Sequence, residues 1–195
     1  AISGGTGPFA VEKAFLDFEE TGIFGKLPRF LLSQGDRCAP MALAWEKAKA
    51  NNFPEGYQKE YPIIENPEVL IPTIATGNPV MYPLMAPLVR KSGGEIFTVK
   101  EDMAVDIARL VAYERVIKIG PASSAALLGF FESLKRGLIN NEETVFINMG
   151  ESANRSLSFM QETAYTTENI SSVNDCARFD RKEYKKMVWE PFSNY

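Results

Sequence analysis

A glycine-rich stretch near the start of the chain, residues 3–9, has the composition of a loop that binds an anion through its backbone. Its three glycines leave the backbone N–H groups uncovered and permit left-handed conformations. The proline at residue 8 is typical of a first helical turn, where unpaired N–H groups and the helix dipole favour a negative charge. Two small hydroxyl residues add side-chain donors. The residues predicted to form this phosphate cradle are Ser3, Gly4, Gly5, Thr6 and Gly7.

The same stretch also fits a tight turn whose glycines only allow a helix to approach a sheet. It is not a Walker A loop, because no Lys-Ser or Lys-Thr pair follows, and it lacks the G-x-G-x-x-G spacing of dinucleotide-binding folds. From these residues alone, both interpretations stay open.

Three further segments are rich in small and polar residues. Residues 73–79 (TIATGNP) precede a predicted helix, residues 119–126 (IGPASSAA) open another, and residues 146–152 (FINMGES) leave a predicted strand at a glycine. Each has an ordinary explanation, as a helix cap or as close packing. Only the order of these segments along the chain favours a functional interpretation.

The composition and charge of the chain exclude several kinds of catalysis and argue against several classes of partner. The chain has no histidine and a net charge of -4, which excludes Ser-His-Asp and Cys-His catalysis and argues against nucleic acid as a partner. The two cysteines, Cys38 and Cys176, are too few for a zinc site or a disulfide framework, and a single bridge between them stays open. No apolar run approaches the length of about 18 residues that is needed to span a bilayer. We therefore expect a cytoplasmic protein with no metal, nucleic acid or membrane partner.

Hydrophobic periodicity predicts alternating helices and strands. The predicted helices are 7–20, 40–50, 80–91, 101–114, 121–136 and 180–188, and the predicted strands are 29–34, 95–99, 116–119 and 144–149. Residues 51–79 are predicted to be loop. This order predicts an α/β fold with a mostly parallel sheet and helices on both faces, in which ligands gather at the carboxyl ends of the strands. We expect residues 1–152 to form the ligand-binding portion and residues 153–195 a polar extension packed on it.

The succession and spacing of the four small-residue segments resemble the C-terminal half of the fold-type-II pyridoxal-phosphate enzymes, the threonine synthase group in particular. The resemblance covers residues 1–152. It includes Ser33-Gln34, Ala44-Trp45 within a proline-led helix, the block from Thr73 to Gly94, and Pro121-Ala122-Ser123-Ser124-Ala125. It implies a tryptophan synthase β-like fold with pyridoxal 5'-phosphate as cofactor.

The resemblance also implies roles for individual residues. Ser3 through Gly7 would wrap the cofactor phosphate, Asn148 would lie near the ring nitrogen, and Ser123 would line the substrate pocket. Arg37 is either an anion contact or part of a surface ion pair. The family usually has glutamate where this chain has Gly120, so we expect a carboxylate near the active site to be missing.

No lysine here has the Ser-x-Lys-x-Arg setting of the family's Schiff-base lysine, and Lys13, Lys47 and Lys135 are predicted to be solvated helix positions. The chain is therefore expected to contribute no catalytic residue and to be inactive alone. We expect it to need the N-terminal half of the same enzyme as partner. We also expect the assembly to be a homo-oligomer.

Residues 37–41 (RCAPM) and the Gly120 departure favour the archaeal branch that includes cysteate synthase. The resemblance then implies a β-replacement enzyme of coenzyme M biosynthesis, converting O-phosphoserine and sulfite to cysteate and phosphate. Threonine formation from O-phosphohomoserine is one alternative. A non-catalytic module or partner subunit that binds a phosphate ligand is another.

Overall fold

The computed structural model describes residues 1–23, 27–156, 159 and 181–193. The chain divides into two compact units, Ala1–Glu101 and Asp102–Tyr195. This boundary lies inside the span 1–152 that the sequence assigns to one portion, and the functional assignment of that span stays a prediction. Cys176 and most of the predicted extension lie outside the described residues.

The first unit is built on two parallel strands, β1 (Leu31–Gly35) and β2 (Glu95–Val99), paired from Leu31 with Glu95 to Gly35 with Val99. Both are short and largely buried, as expected for strands covered on both faces. The predicted strands 29–34 and 95–99 are therefore confirmed, with β1 shifted slightly toward the C-terminus. Because the two strands are parallel and both end at this pair, the residues that follow Gly35 and Val99 lie close together.

Three helices belong to the first unit: α1 (Thr6–Glu20), α2 (Pro40–Ala50) and α3 (Tyr82–Lys91). A proline occupies the first turn of both α2 and α3, where its missing N–H leaves no helical bond unmade. The predicted loop 51–79 is confirmed, interrupted by short 3-10 turns at Tyr57–Lys59 and Pro72–Ile74.

The core of the first unit lies where α2 and α3 pack on the sheet. Trp45 of α2 is buried, donates from Nε1 to Glu95 Oε1 at 2.8 Å, and meets the Phe53 ring edge-on with centroids 4.9 Å apart. The other carboxylate oxygen of Glu95 accepts from Lys49 Nζ at 2.8 Å. These contacts tie α2 to the first residue of β2.

The second unit contains α4 (Ala104–Arg115), α5 (Pro121–Lys135) and α6 (Arg181–Trp189). Here α4 packs against α5 through its apolar face, and α6 lies on α4, where Trp189 Nε1 donates to Glu114 Oε1 at 2.9 Å. The predicted helices are confirmed, although residues 101–103 form a 3-10 turn ahead of α4.

Two predicted strands, 116–119 and 144–149, are wrong. Among the described residues, the first makes only an isolated antiparallel bridge from Ile119 to Ser152, and the second has no regular structure. Val116 ends α4 in a left-handed conformation, with φ 58°. Val116 and Phe146 are 90% and 91% exposed. A strand needs a continuous hydrogen-bonding neighbour. Among the described residues, the first segment pairs only at this bridge, and no strand lies beside the second.

The α/β class is confirmed in the form of a small parallel sheet with helices. Within the described ranges, no helix combines the length and the apolar character that a membrane span requires.

Candidate anion-binding site

The glycine-rich loop leads directly into α1, whose first residue is Thr6. Ile2, just before the loop, is buried and donates its backbone N–H to Ser33 O of β1 at 2.9 Å. Gly5 precedes the helix with φ 96° and ψ 6°, a left-handed conformation that glycine takes without steric cost. The chain thus passes from the sheet to the helix N-terminus within three residues.

The backbone N–H groups of this loop are available to a ligand. Among the described residues, no acceptor is found for the N–H of Ser3, Gly4, Gly5, Thr6 or Gly7. Thr6 and Gly7 are exposed, and no acidic residue lies in the first turn of α1. With the positive end of the helix dipole behind them, these N–H groups can hold an anion.

The underside of the loop is closely packed at Gly5. A Cβ at this position would lie 2.9 Å from Met85 Sδ and 3.5 Å from both Met41 Cε and Met81 Cβ. Gly4 and Gly7, by contrast, have no atom within 4 Å of such a Cβ. Gly5 therefore fits the backbone against α2 and α3, whereas the other two glycines leave open space on the ligand side.

The second small-residue segment, 73–79, meets the first. Ser3 Oγ and Thr76 Oγ1 lie 2.6 Å apart in a hydrogen bond between residues 73 positions apart in sequence. The sequence interpretation treated residues 73–79 only as part of a family pattern and missed Thr76. The only local feature that could have indicated the contact of Thr76 with the loop is a hydroxyl next to a glycine.

Gln34, at the end of β1, fixes the start of α2. Its side chain is completely buried, and Oε1 accepts from Met41 N at 2.9 Å and Ala42 N at 3.1 Å. The amide therefore caps a helix that begins with Pro40 and has no side-chain cap at Ala39. Since Met41 lies beneath Gly5, this cap also supports the floor of the loop.

Polar residues gather at the carboxyl ends of β1 and β2. Asp36 accepts from Lys100 Nζ at 2.8 Å and from Glu101 N at 3.1 Å. Burial acts to raise the pKa of Asp36, but these bonds and the Lys100 charge outweigh it, so the pKa lies below its ordinary value. Glu101 is buried and accepts from Leu70 N and Ile71 N at 2.6 and 3.1 Å. These carboxylates hold loops together.

Cys38 and Arg37 follow this turn. Cys38 is a free, buried thiol whose pKa is raised by burial and by the nearby charge of Glu101. It is therefore a neutral packing residue at neutral pH. Arg37 is exposed, and its role toward an anion stays a prediction.

Ser123 lies in the second unit, in the first turn of α5. Its buried hydroxyl donates to Glu151 O at 2.7 Å and accepts from Glu151 N at 2.9 Å. Both bonds hold the segment at residue 151 against α5. The assignment of Ser123 to substrate stays a prediction.

A carboxylate from another segment lies beside Gly120, and whether it lies near the active site stays a prediction. The nearly buried side chain of Glu151 accepts from Ala122 N through Oε2 at 2.6 Å, at the start of α5. A Cβ on Gly120 would lie 2.7 Å from Glu151 Cγ and 2.7 Å from Ser152 O. A carboxylate is thus present beside Gly120, and it reaches there from another segment because residue 120 has no side chain.

Asn148 also lies in the second unit, exposed within the irregular segment 144–149. Its assignment to the ring nitrogen stays a prediction. The five loop residues are consecutive in the first unit. Their assignment to a phosphate group stays a prediction. Among the residues whose positions are described, no group of three His, Cys, Asp or Glu side chains could hold a metal ion.

Comparisons with known proteins place these features in a family context. No protein-family model matches the chain. Threonine synthase of Methanocaldococcus jannaschii is 30% identical over 136 residues, 70% of this chain and 31% of that protein. Cysteate synthase of Methanothrix thermoacetophila is 29% identical over 157 residues, 76% of this chain and 35% of that protein. Cysteate synthase of Methanococcoides burtonii is 26% identical over 151 residues, 76% of this chain and 34% of that protein.

The chain spans about a third of the length of these relatives. Similarity to both kinds of synthase agrees with the resemblance that the small-residue segments indicate. Over 70–76% of its length, the chain has homologues named threonine synthase and cysteate synthase at 26–30% identity.

Proposed function

We propose that residues 3–7 bind the phosphate group of pyridoxal 5'-phosphate, and that the chain is part of an enzyme that replaces the phosphate of a phosphorylated amino acid. One observation carries this proposal: the backbone N–H groups of five consecutive residues at the start of α1 have no acceptor among the described residues. A phosphate dianion accepts several such bonds at once.

The loop also fits a phosphate group in shape and charge. Gly4 and Gly7 leave open space beside their backbone, and the 15-residue helix α1 directs its positive end at the loop. No carboxylate lies in the first turn of α1 to repel the ligand. The bond between Ser3 and Thr76 leaves one hydroxyl proton of that pair for an outside acceptor.

Bound pyridoxal phosphate supplies an electron-accepting ring that makes the α-proton of an amino acid acidic. The chain's own residues serve to bind and orient. Ser3 through Gly7 would hold the phosphate, Asn148 would lie at the ring nitrogen as a neutral partner, and Ser123 would support the substrate pocket through its bonds to Glu151. The base that moves the proton would come from the part of the relatives' length that this chain lacks.

The lysines of the chain agree with a binding role. Lys13 of α1 and Lys47 of α2 have side chains 77% and 71% exposed, and they pair with Asp17 and Glu60, each at 3.1 Å. Their prediction as solvated helix positions is confirmed. We infer that the Schiff-base lysine lies in a part of the relatives' length that this chain does not match.

For the specific reaction, we propose cysteate formation from O-phosphoserine and sulfite, in which the bond from the β-carbon to the phosphate oxygen breaks and a bond to sulfur forms. The RCAPM segment at residues 37–41 and Gly120 favour it. Threonine formation from O-phosphohomoserine is the alternative, favoured by the relative that is 30% identical. Assays of the full-length protein with each substrate pair distinguish them, because only the correct pair would release phosphate at a catalytic rate.

Binding to the 195-residue chain tests the cofactor proposal directly. We expect pyridoxal 5'-phosphate to bind more tightly than pyridoxal, which lacks the phosphate, and Gly5→Val to abolish the difference. Gly56 has the same left-handed geometry, with φ 79°, but lies outside the loop. Gly56→Val is therefore the matched control and should retain the preference. Equal binding of both ligands to the wild-type chain would contradict the proposal.

A further inference from the structure

A hydroxyl pair joins the glycine-rich loop to a segment far along the chain. Ser3 Oγ and Thr76 Oγ1 are 2.6 Å apart, at the short end of the range for O–H···O bonds, and both residues are half-buried. Among the described residues, segment 1–5 makes only one other hydrogen bond to a distant segment, from Ile2 N to Ser33 O. The hydroxyl pair is therefore one of two hydrogen bonds that join segment 1–5 to distant parts of the described chain.

The proton count of this pair points to an outside acceptor. Each hydroxyl has one proton, and one of the two protons is used within the pair, whichever oxygen donates. No second acceptor for either hydroxyl is found among the described residues. The remaining proton can be donated to an oxygen of a bound phosphate. A donor that itself accepts a hydrogen bond is also the stronger donor.

Thr76 lies on a firmly held segment. Gly77, beside it, accepts from Ile64 N through its carbonyl at 3.0 Å, and Gly77 packs so closely on Ile64 O that a Cβ would overlap it. Pro79 is buried and accepts from Tyr82 N at 2.8 Å, which fixes the segment to the start of α3. Thr76 is β-branched, so its side chain has few rotamers. The hydroxyl is thus presented from a rigid base.

We propose that Thr76 is a positioning residue for the phosphate-binding loop: it fixes the Ser3 hydroxyl, and the pair donates one hydrogen bond to the phosphate monoester of the ligand. This inference rests on the proposed function and adds to it a residue from a second segment. It explains why segment 73–79, with no catalytic side chain, lies against the loop.

Affinity measurements on the 195-residue chain test this role. We expect Thr76→Val, which keeps shape and loses the hydroxyl, to weaken pyridoxal 5'-phosphate binding by about tenfold. Ser3→Ala should have a similar effect, and the double variant should lose about tenfold rather than about a hundredfold, because both changes remove one shared bond. Thr76→Ser should restore affinity to within about twofold of wild type.

Two controls separate positioning from a general structural role. Binding of pyridoxal should be unchanged in all these variants, and the thermal unfolding temperature of Thr76→Ser should match wild type. If Thr76→Val does not fold, Thr76→Ala with inorganic phosphate as the probe gives the same comparison. A multiplicative loss in the double variant, or full affinity in Thr76→Val, would overturn the inference.

The outcomes also distinguish this inference from the proposed function. If Gly5→Val loses the phosphate preference while Thr76→Val retains it, the loop assignment stands and only the role of Thr76 fails. If the wild-type chain and Gly5→Val bind pyridoxal 5'-phosphate and pyridoxal alike, both fail.

Discussion

Replacing Gly5 by alanine tests how the loop is fitted onto the first unit. An L-residue at φ 96° is strained, and left-handed backbone costs about 1–2 kcal/mol for a residue with a Cβ. The new methyl group would also lie 2.9 Å from Met85 Sδ and 3.5 Å from Met41 Cε. Overpacking of a buried site costs about 1–3 kcal/mol, and the flexible methionines should hold it near the lower end. We expect Gly5→Ala to lower the free energy of unfolding by about 2–4 kcal/mol.

Two other glycines separate strain from crowding. Gly56 has φ 79°, and a Cβ added to it would have no atom within 4 Å, so Gly56→Ala should lose only the strain, about 1–2 kcal/mol. Gly7 lies in the first turn of α1 with open space around it, so Gly7→Ala should gain up to about 1 kcal/mol from helix propensity.

Urea unfolding of the three variants measures these differences as changes in the transition midpoint at constant slope. The order of stability should be Gly7→Ala, wild type, Gly56→Ala, Gly5→Ala. If Gly5→Ala is no less stable than Gly56→Ala, the loop is not packed on the methionines and the reasoning about its floor is wrong.

Three other predictions concern positions that support the two units. Gln34→Leu removes the cap of two α2 N–H groups, so urea unfolding should show a loss of about 1–3 kcal/mol, and an unchanged midpoint would contradict the cap. Gly120→Ala should destabilise the second unit by about 1–3 kcal/mol, because the methyl group meets Glu151 Cγ; hydrogen exchange of α5 measures it, and unaltered protection would refute it. Because folding lowers the pKa of Asp36, its ionised form stabilises the fold above about pH 4. Asp36→Asn should therefore be less stable than wild type at pH 7, and the difference should shrink as the pH falls through the folded pKa.

The three glycines of the loop differ in their surroundings. Gly5 faces the protein and is needed for its backbone conformation and for the space occupied by Met85. Gly4 and Gly7 face open space and leave the backbone reachable. A single motif thus has close packing on one side and open space on the other, which is why the sequence alone left both interpretations open.

Local sequence determined the elements whose physical cause is local. Helix α1 follows from the small-residue start and the spacing of its apolar residues, and α2 and α5 follow from proline in the first turn. Strands β1 and β2 were predictable as short apolar runs bounded by loop residues. The open space beside Gly4 and Gly7 was predictable too, because glycine has no side chain.

Tertiary structure decided everything that depends on a partner distant in sequence. Segments 116–119 and 144–149 have the composition of strands, but among the described residues the first pairs only at one bridge and the second pairs with no strand, and composition cannot supply a partner. The contact of Thr76 with Ser3 and the approach of Glu151 to Gly120 join residues that no local pattern relates. Sequence sets the backbone freedom and the donors of each segment, and folding decides which segments meet.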